Sequence, residues 1–160
     1  EALWQAAKTA GIPVICNATP EPAVGRDLAM SADVLIVNEV EAIELLGEPV
    51  DSEGWPAVAN ALRLAGPEIV VITLGAQGAL VSMAQETVSI PSLRVEVIDT
   101  TGAGDAFCGA FSAALARGAT PGEAARTGVV AGALAVTKAG AQPSMPRRAE
   151  IEHALNTIDR

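Results

Sequence analysis

Two uninterrupted apolar runs, Val34-Leu35-Ile36-Val37 and Ile69-Val70-Val71-Ile72-Thr73-Leu74, constrain the fold of this chain more than any other feature. Each is short and rich in β-branched residues, the pattern of a strand covered on both faces rather than one. Strands of that kind belong to parallel sheets, and parallel neighbours need a crossover between them, usually a helix. The sequence supplies such helices. Glu39 to Leu46 carries Val40, Ala42, Ile43 and Leu46 at helical spacing and closes on Gly47. Trp55 to Ala65 follows, with Pro56 suited to a first turn. The β-branched centre of Ile69 to Leu74 predicts a position in the middle of the sheet.

The flanking segments extend the pattern. Glu1 to Ala10 reads as a helix, with Leu3, Trp4, Ala7 and Ala10 on one face and Gly11 and Pro13 as its stop. Val14 to Asn17 is a short strand, Pro20 and Pro22 mark a loop, and a weak helix is expected around Asp27 to Met30. After a turn at Gly75 to Gly78, the segments Ala79 to Met83 and Glu86 to Ile90 suit a hairpin, and Leu93 to Ile98 alternates in the same manner. Ala-rich helices are expected over Gly104 to Ala116 and Pro121 to Thr137, and a terminal one over Arg147 to Leu155. This order implies an α/β sandwich with a mostly parallel sheet, without internal repeats.

Composition narrows the function classes. The 160 residues are 50% apolar and 18% charged, with a formal charge of −9, enough to bury one sizeable core. Arg147-Arg148 is the only basic pairing, which argues against a nucleic-acid partner. Cys16, Cys108 and the single His153 do not make a zinc set, and the cysteines read as small buried thiols in a reducing, cytoplasmic setting. The longest apolar-plus-glycine run, Gly128 to Val136, is far below the roughly 20 residues of a membrane span. Lacking an initial Met and opening within a helical pattern, the chain is expected to be cut from something longer.

In a helix-covered parallel sheet, ligands bind beyond the carboxyl ends of the strands. Three such places carry polar residues. After Val37, Asn38 and Glu41 have the spacing of a helix-capping box, the reading their spacing alone favours, and they could also hold waters around Mg²⁺. After Ile72, Thr73-Leu-Gly75-Ala-Gln-Gly78 either makes a simple turn or lets backbone amides and the Thr73 hydroxyl approach a phosphate. The third is Asp99-Thr-Thr101-Gly102-Ala103-Gly104-Asp105, just before a long helix. Gly102 and Gly104 allow tight bends there, and the first-turn amides make an anion hole. Asp105 can complement the helix dipole, but that role does not account for the other Asp, Thr and Gly residues crowded beside it. The segment is neither GxxxxGK[ST] nor GxGxxG, which disfavours P-loop NTPases and dinucleotide dehydrogenases. An anion hole, an ionised carboxylate and a Mg²⁺-associated pair suit phosphoryl transfer.

These motifs resemble those of ribokinase-type carbohydrate kinases, the PfkB family. Asp99-Thr-Thr-Gly-Ala-Gly-Asp105 followed by Ala-Phe-Cys-Gly-Ala is similar to the family's second signature. Asn38-Glu-Val-Glu41 resembles its Asn-x-x-Glu motif, and Thr73 to Gly78 its nucleotide-binding turn. The closing Ala135-Val-Thr-Lys-Ala-Gly-Ala-Gln-Pro-Ser144 is most similar to the ribokinases of the family. The resemblance implies a three-layer α/β/α fold, present as the C-terminal, ATP-binding portion over residues 1–160. It also implies an N-terminal half, absent here, with a Gly-rich sugar motif and a β lid.

By that resemblance the substrates are ATP and a sugar, ribose or a relative, with fructose or a deoxysugar acid as alternatives. Asp105 is then the general base on the sugar hydroxyl, and Gly102, Ala103 and Gly104 supply the anion hole. Asn38 and Glu41 organise Mg²⁺ and phosphate, and Thr73, Gly75 and Gly78 line the nucleotide site. Asp99, Thr101, Ala135, Lys138, Gly140 and Ser144 surround an activating monovalent cation such as K⁺. A non-catalytic nucleotide-binding or interaction domain is the alternative, and an exposed sheet edge would favour a homodimer.

Overall fold

The two apolar runs become neighbouring parallel strands. The computed structural model describes residues 2–18, 24–47 and 54–158. In chain order these form α1 (Ala2–Thr9), β1 (Ile15–Asn17), α2 (Val24–Met30), β2 (Val34–Asn38), α3 (Glu39–Leu46), α4 (Trp55–Leu64) and β3 (Ile69–Thr73). A single 3-10 turn (Gly75–Gln77) leads to β4 (Ala79–Ser82) and β5 (Thr87–Ile90). Four helices follow: α5 (Ala103–Ala116), α6 (Pro121–Ala135), α7 (Ala141–Ser144) and α8 (Arg148–Ile158).

The strands form one sheet in the order β1-β2-β3-β4-β5, with β3 in the middle as its β-branched sequence predicts. β1 pairs parallel with β2, and β2 with β3, through the crossovers that α2 and the α3–α4 pair provide. The short link from Ser82 to Thr87 fits only an antiparallel hairpin, closed by the Met83 amide donating to the Glu86 carbonyl at 2.8 Å, so the sheet is mixed.

Contacts divide the chain into two compact units, Glu1–Leu74 with Leu80–Ser89, and Gly75–Ala79 with Ile90–Arg160. In the first, alternate strand residues Leu35, Val37, Val70 and Ile72 join Ala42 and Leu45 of α3 and Val58, Ala59 and Leu62 of α4 in one core. Val34, Ile36 and Val71, pointing the other way, are also buried, as expected of strands covered on both faces. In the second unit, Ala106 of α5 packs with Val130, Ala131 and Ala135 of α6 and Ile151 of α8. Phe107 and Phe111 stack with ring centres 5.9 Å apart.

Several local expectations need correction. Leu93 to Ile98 forms no strand: the segment finds no pairing partner, and Val97 and Ile98 lie exposed, with the Ile98 amide bonded to the Val136 carbonyl. Val40 is 63% exposed, since α3 turns Ala42 and Leu45 inward instead. Leu3 likewise faces outward. The cysteines are half-buried rather than fully buried, and partial desolvation pushes the Cys16 thiol pKa up. α7 has too few residues for a periodic signal. Pro20 and Pro22 lie outside the described residues. Among the described residues no helix is long and apolar enough to cross a membrane.

Candidate active site

At the carboxyl ends of the parallel strands, Asn38 of β2 lies directly opposite Thr73 of β3 in the register. Two predicted phosphate-side residues are thereby neighbours. The Thr73 hydroxyl donates to the Val37 carbonyl at 3.3 Å, which fixes its orientation across the pair. Asn38 also starts α3 as its N-cap: its Oδ1 accepts the Glu41 amide at 2.9 Å, and Glu41 Oε2 accepts the Asn38 amide at 2.7 Å. The capping box read from the sequence is thus complete, and it holds Glu41 at the strand end. Among the described residues no three His, Cys, Asp or Glu side chains gather into a metal cluster. A Mg²⁺ ion held largely by water and phosphate oxygens fits Glu41, since such an ion takes one or two carboxylates and keeps several waters.

In the second unit, Asp99 organises the loop before α5. Its Oδ1 accepts the Thr101 amide at 2.9 Å and the Thr101 hydroxyl at 2.7 Å, while its Oδ2 accepts the Gly140 amide at 2.7 Å. These three donors, the Thr101 hydroxyl foremost, hold the Asp99 carboxyl down at about 2. One carboxylate therefore clasps residues 99–101 to the loop that enters α7. Thr101 and Gly140 are thereby joined to Asp99, while Lys138 and Ser144 flank Gly140 along the chain and Ala135 ends α6 just before them.

The donor set fits a monovalent cation. Lys138 spends its ammonium on Glu150 Oε1 at 3.0 Å, so that only its backbone carbonyl could serve a cation. Glu150, whose carboxyl is also held low by the Arg147 amide, anchors that lysine at the start of α8. Ser144 is fully buried, its hydroxyl donating to the Ala141 carbonyl at 2.8 Å and keeping its lone pairs. Carboxylate, hydroxyl and carbonyl oxygens are the ligands a hard cation takes.

The predicted glycines differ in what they do. Gly78, at φ +99°, passes so close to Ile90 and Ser92 that a Cβ would stand 2.0 Å from the Ile90 carbonyl oxygen. Gly102, at φ +81°, is the N-cap of α5 and packs against α7, where a Cβ would meet Ala141 Cα at 3.1 Å. Gly75 opens the 3-10 turn at φ +51°, a left-handed conformation that favours glycine. Gly104 does not make the tight bend expected of it: it sits in the first turn of α5 with an ordinary helical φ. Nothing lies within 4 Å of the place its Cβ would occupy. Backbone conformation and packing therefore leave Gly104 unexplained, and the open space above it is where a ligand can reach the backbone.

No side chain caps α5. The Ala103 amide donates to the Thr100 carbonyl at 3.2 Å, and the following first-turn amides have no acceptor from within the helix. Asp105 stands exposed in that turn, at the mouth of a groove between α5 and α8. Two devices escaped the sequence reading. Thr120 and Glu123 form a complete capping box on α6, legible as Thr-x-x-Glu before a helical run. The Asp99 to Gly140 clasp joins distant segments, and spacing gives no signal for it.

The fold defines a class: an α/β protein with parallel strands, in which polar residues stand at the strand ends and the glycine-rich start of α5 has no side-chain cap. Over residues 1–148 the chain matches the pfkB family carbohydrate kinases. It is 40% identical to the ribokinase of Haemophilus influenzae over 155 residues, 94% of this chain and 51% of that protein. With the deoxyribokinase of Salmonella typhi it shares 37% identity over 144 residues, 87% of this chain and 46% of that protein. The structure of Arabidopsis thaliana ribokinase complexed with ribose and ATP superposes with a TM-score of 0.86 at 31% identity, over 96% of this chain and 50% of that one. The chain belongs to the pfkB family of carbohydrate kinases, and it spans about half the length of the relatives it matches.

Proposed function

We propose that the chain is the C-terminal, ATP-handling portion of a kinase that transfers the γ-phosphoryl group of ATP to a hydroxyl of ribose or a related sugar. The observation that carries this reading is the open start of α5, where Gly104 has neither a conformational nor a packing reason to be glycine and Asp105 stands one residue on. Similarity to a ribokinase solved with ribose and ATP supports the substrate class.

In the proposed reaction, Asp105 takes the proton of the attacking sugar hydroxyl as its oxygen bonds the γ-phosphorus. The bond from that phosphorus to the β,γ-bridging oxygen breaks, and ADP leaves. The amides of Gly102, Ala103 and Gly104 receive the charge on the transferring oxygens, with no side chain to displace, the Ala103 amide turning to them from the Thr100 carbonyl. Thr73, Gly75 and Gly78 line the nucleotide, and Asn38 orients phosphate beside Thr73. Mg²⁺, held through Glu41, would supply charge neutralisation on the β- and γ-phosphates. Asp99, Thr101, Ala135, Lys138, Gly140 and Ser144 would hold K⁺, which braces the loop carrying the anion hole.

The experiment pairs calorimetric titration of the 160-residue chain with ATP·Mg²⁺ and an ADP-release assay with ribose on the same sample. Binding without turnover is expected, because the groups that orient the acceptor and exclude water lie outside this portion, and orientation contributes roughly 7 to 11 kcal/mol. Gly104→Ala sharpens it: the variant should be up to about 1 kcal/mol more stable, as Ala replaces a helical Gly, yet bind ATP·Mg²⁺ more weakly. A variant that gains stability and keeps its affinity would overturn the reading of the α5 start.

A further inference from the structure

Besides Gly122 in its first turn, α6 carries Gly128 and Gly132, one turn apart in the interior of a 15-residue helix, where glycine is a poor choice. Both face α5. A Cβ on Gly128 would stand 2.9 Å from Cδ2 and Cε2 and 3.1 Å from Cγ of Phe107. A Cβ on Gly132 would stand 3.3 Å from the Ala103 carbonyl oxygen and 4.0 Å from Phe107 Cβ. Phe107 is 4% exposed and stacked on Phe111, so its ring has little room to retreat. The two residues seated by this notch, Ala103 and Phe107, bracket Gly104 and Asp105 along the chain.

We propose that Gly128 and Gly132 are positioning residues: the notch they leave in α6 seats Phe107 and the Ala103 carbonyl, and so sets where the Gly102 to Gly104 amides and the Asp105 carboxylate stand. The proposal rests on the kinase reading above for its functional consequence, but the seat itself does not. Packed interiors transmit small displacements instead of absorbing them. A methyl group at Gly128 forces the Phe107 ring to shift, and a ring so confined passes that shift to the turn of α5 that carries it and to the adjoining first turn. Misplacing reacting groups by about 1 Å costs on the order of 10²-fold in favourable cases.

The test uses the 160-residue chain and compares Gly128→Ala and Gly132→Ala with Gly122→Ala, a control on the same helix whose added Cβ meets nothing within 4 Å. Two readouts are taken: backbone amide NMR shifts of Gly102, Ala103, Gly104 and Asp105 without ligand, and calorimetric affinity for ATP·Mg²⁺. Gly128→Ala is expected to move those four amides and weaken ATP·Mg²⁺ by at least about tenfold, while Gly122→Ala does neither. Adding Phe107→Leu, whose shorter end can turn away from the new methyl, should return amides and affinity toward the parent values. A merely structural role would lower the melting temperature without this selective movement or rescue. Should Gly128→Ala fail to fold, Gly132→Ala, with its looser contact, carries the same comparison. Unmoved amides in a folded variant, or no recovery with Phe107→Leu, would overturn the proposal. If the parent chain binds no ATP·Mg²⁺, the kinase reading fails while the amide shifts still decide the seat.

Discussion

The N-termini of α6 and α5 solve the same problem in opposite ways. At α6 the Thr120 hydroxyl accepts the Glu123 amide at 3.3 Å, and Glu123 Oε2 accepts the Thr120 amide at 2.8 Å, so the helix satisfies its own first turn. The donors from Thr120 hold the Glu123 carboxyl below its usual range. At α5 the cap is Gly102, with no side-chain acceptor. A glycine cap forgoes only about a few tenths of a kcal/mol relative to a Ser, Thr or Asp cap. A closed start needs nothing from outside, whereas an open, exposed start leaves its first-turn amides to water or to a ligand. α3 stands between the two, its cap closed by the same Asn38 and Glu41 to which a phosphate-side role is assigned.

The sharpest way to break this contrast acts at the open end. In an active kinase containing this chain, Asp105→Asn should lower the turnover of ribose by about 10² to 10⁴ while leaving ATP affinity within a few-fold, because the carboxylate is needed only as the hydroxyl loses its proton. Steady-state rates with a coupled ADP assay measure it, and a near-normal kcat sinks the assignment of the base.

The α6 half of this contrast escaped the sequence, but much of the fold and part of the candidate site were legible there, for reasons that differ by residue. The continuous β-branched runs dictated the buried parallel strands, because nothing else so apolar and so short packs on two faces. The Asn38 to Glu41 box and the Gly47 stop were readable because capping is local, settled within one turn. Gly102 and Gly104 looked alike as letters, yet one packs against α7 and the other faces open space, a distinction only tertiary contacts make. Leu93 to Ile98 had strand periodicity, but a strand needs a partner, and alternation says nothing about whether one is there. The clasp from Asp99 to Gly140 was likewise invisible to spacing, although family resemblance had already placed both residues around one cation.

The closed ends give smaller effects. Thr120→Ala should cost about 1 kcal/mol of stability by urea denaturation and leave ATP·Mg²⁺ affinity unchanged, as befits a cap with no further role. Asn38→Ala should cost a similar amount and, unlike Thr120→Ala, also weaken ATP·Mg²⁺, since Asn38 lies opposite Thr73 at the strand ends. Equal nucleotide affinities in the two variants would make α3 a purely structural start, like α6.

The smallest effect belongs to the loop that feeds the open helix. The Asp99 carboxyl, at about 2, lies below its ordinary 3.8 because the Thr101 hydroxyl and amide and the Gly140 amide all donate to its charged form. A carboxylate depressed in the folded state contributes stability that is present above the unfolded pKa and lost as pH falls through the folded one. The contribution from Asp99 should therefore be whole at neutral pH and fade between about pH 4 and pH 2. Glu123 and Glu150 are depressed as well, so acid sensitivity alone does not isolate the clasp. Comparison with Asp99→Asn does: Asn keeps an acceptor but no charge, and the stability gap between the two proteins should narrow as pH drops from about 6 to about 3. Urea midpoints at matched ionic strength follow that gap. A gap that stays constant over this range would mean that the clasp holds the loop by shape and neutral hydrogen bonds, and that the ionised form of Asp99 adds nothing to the placement of the α5 start.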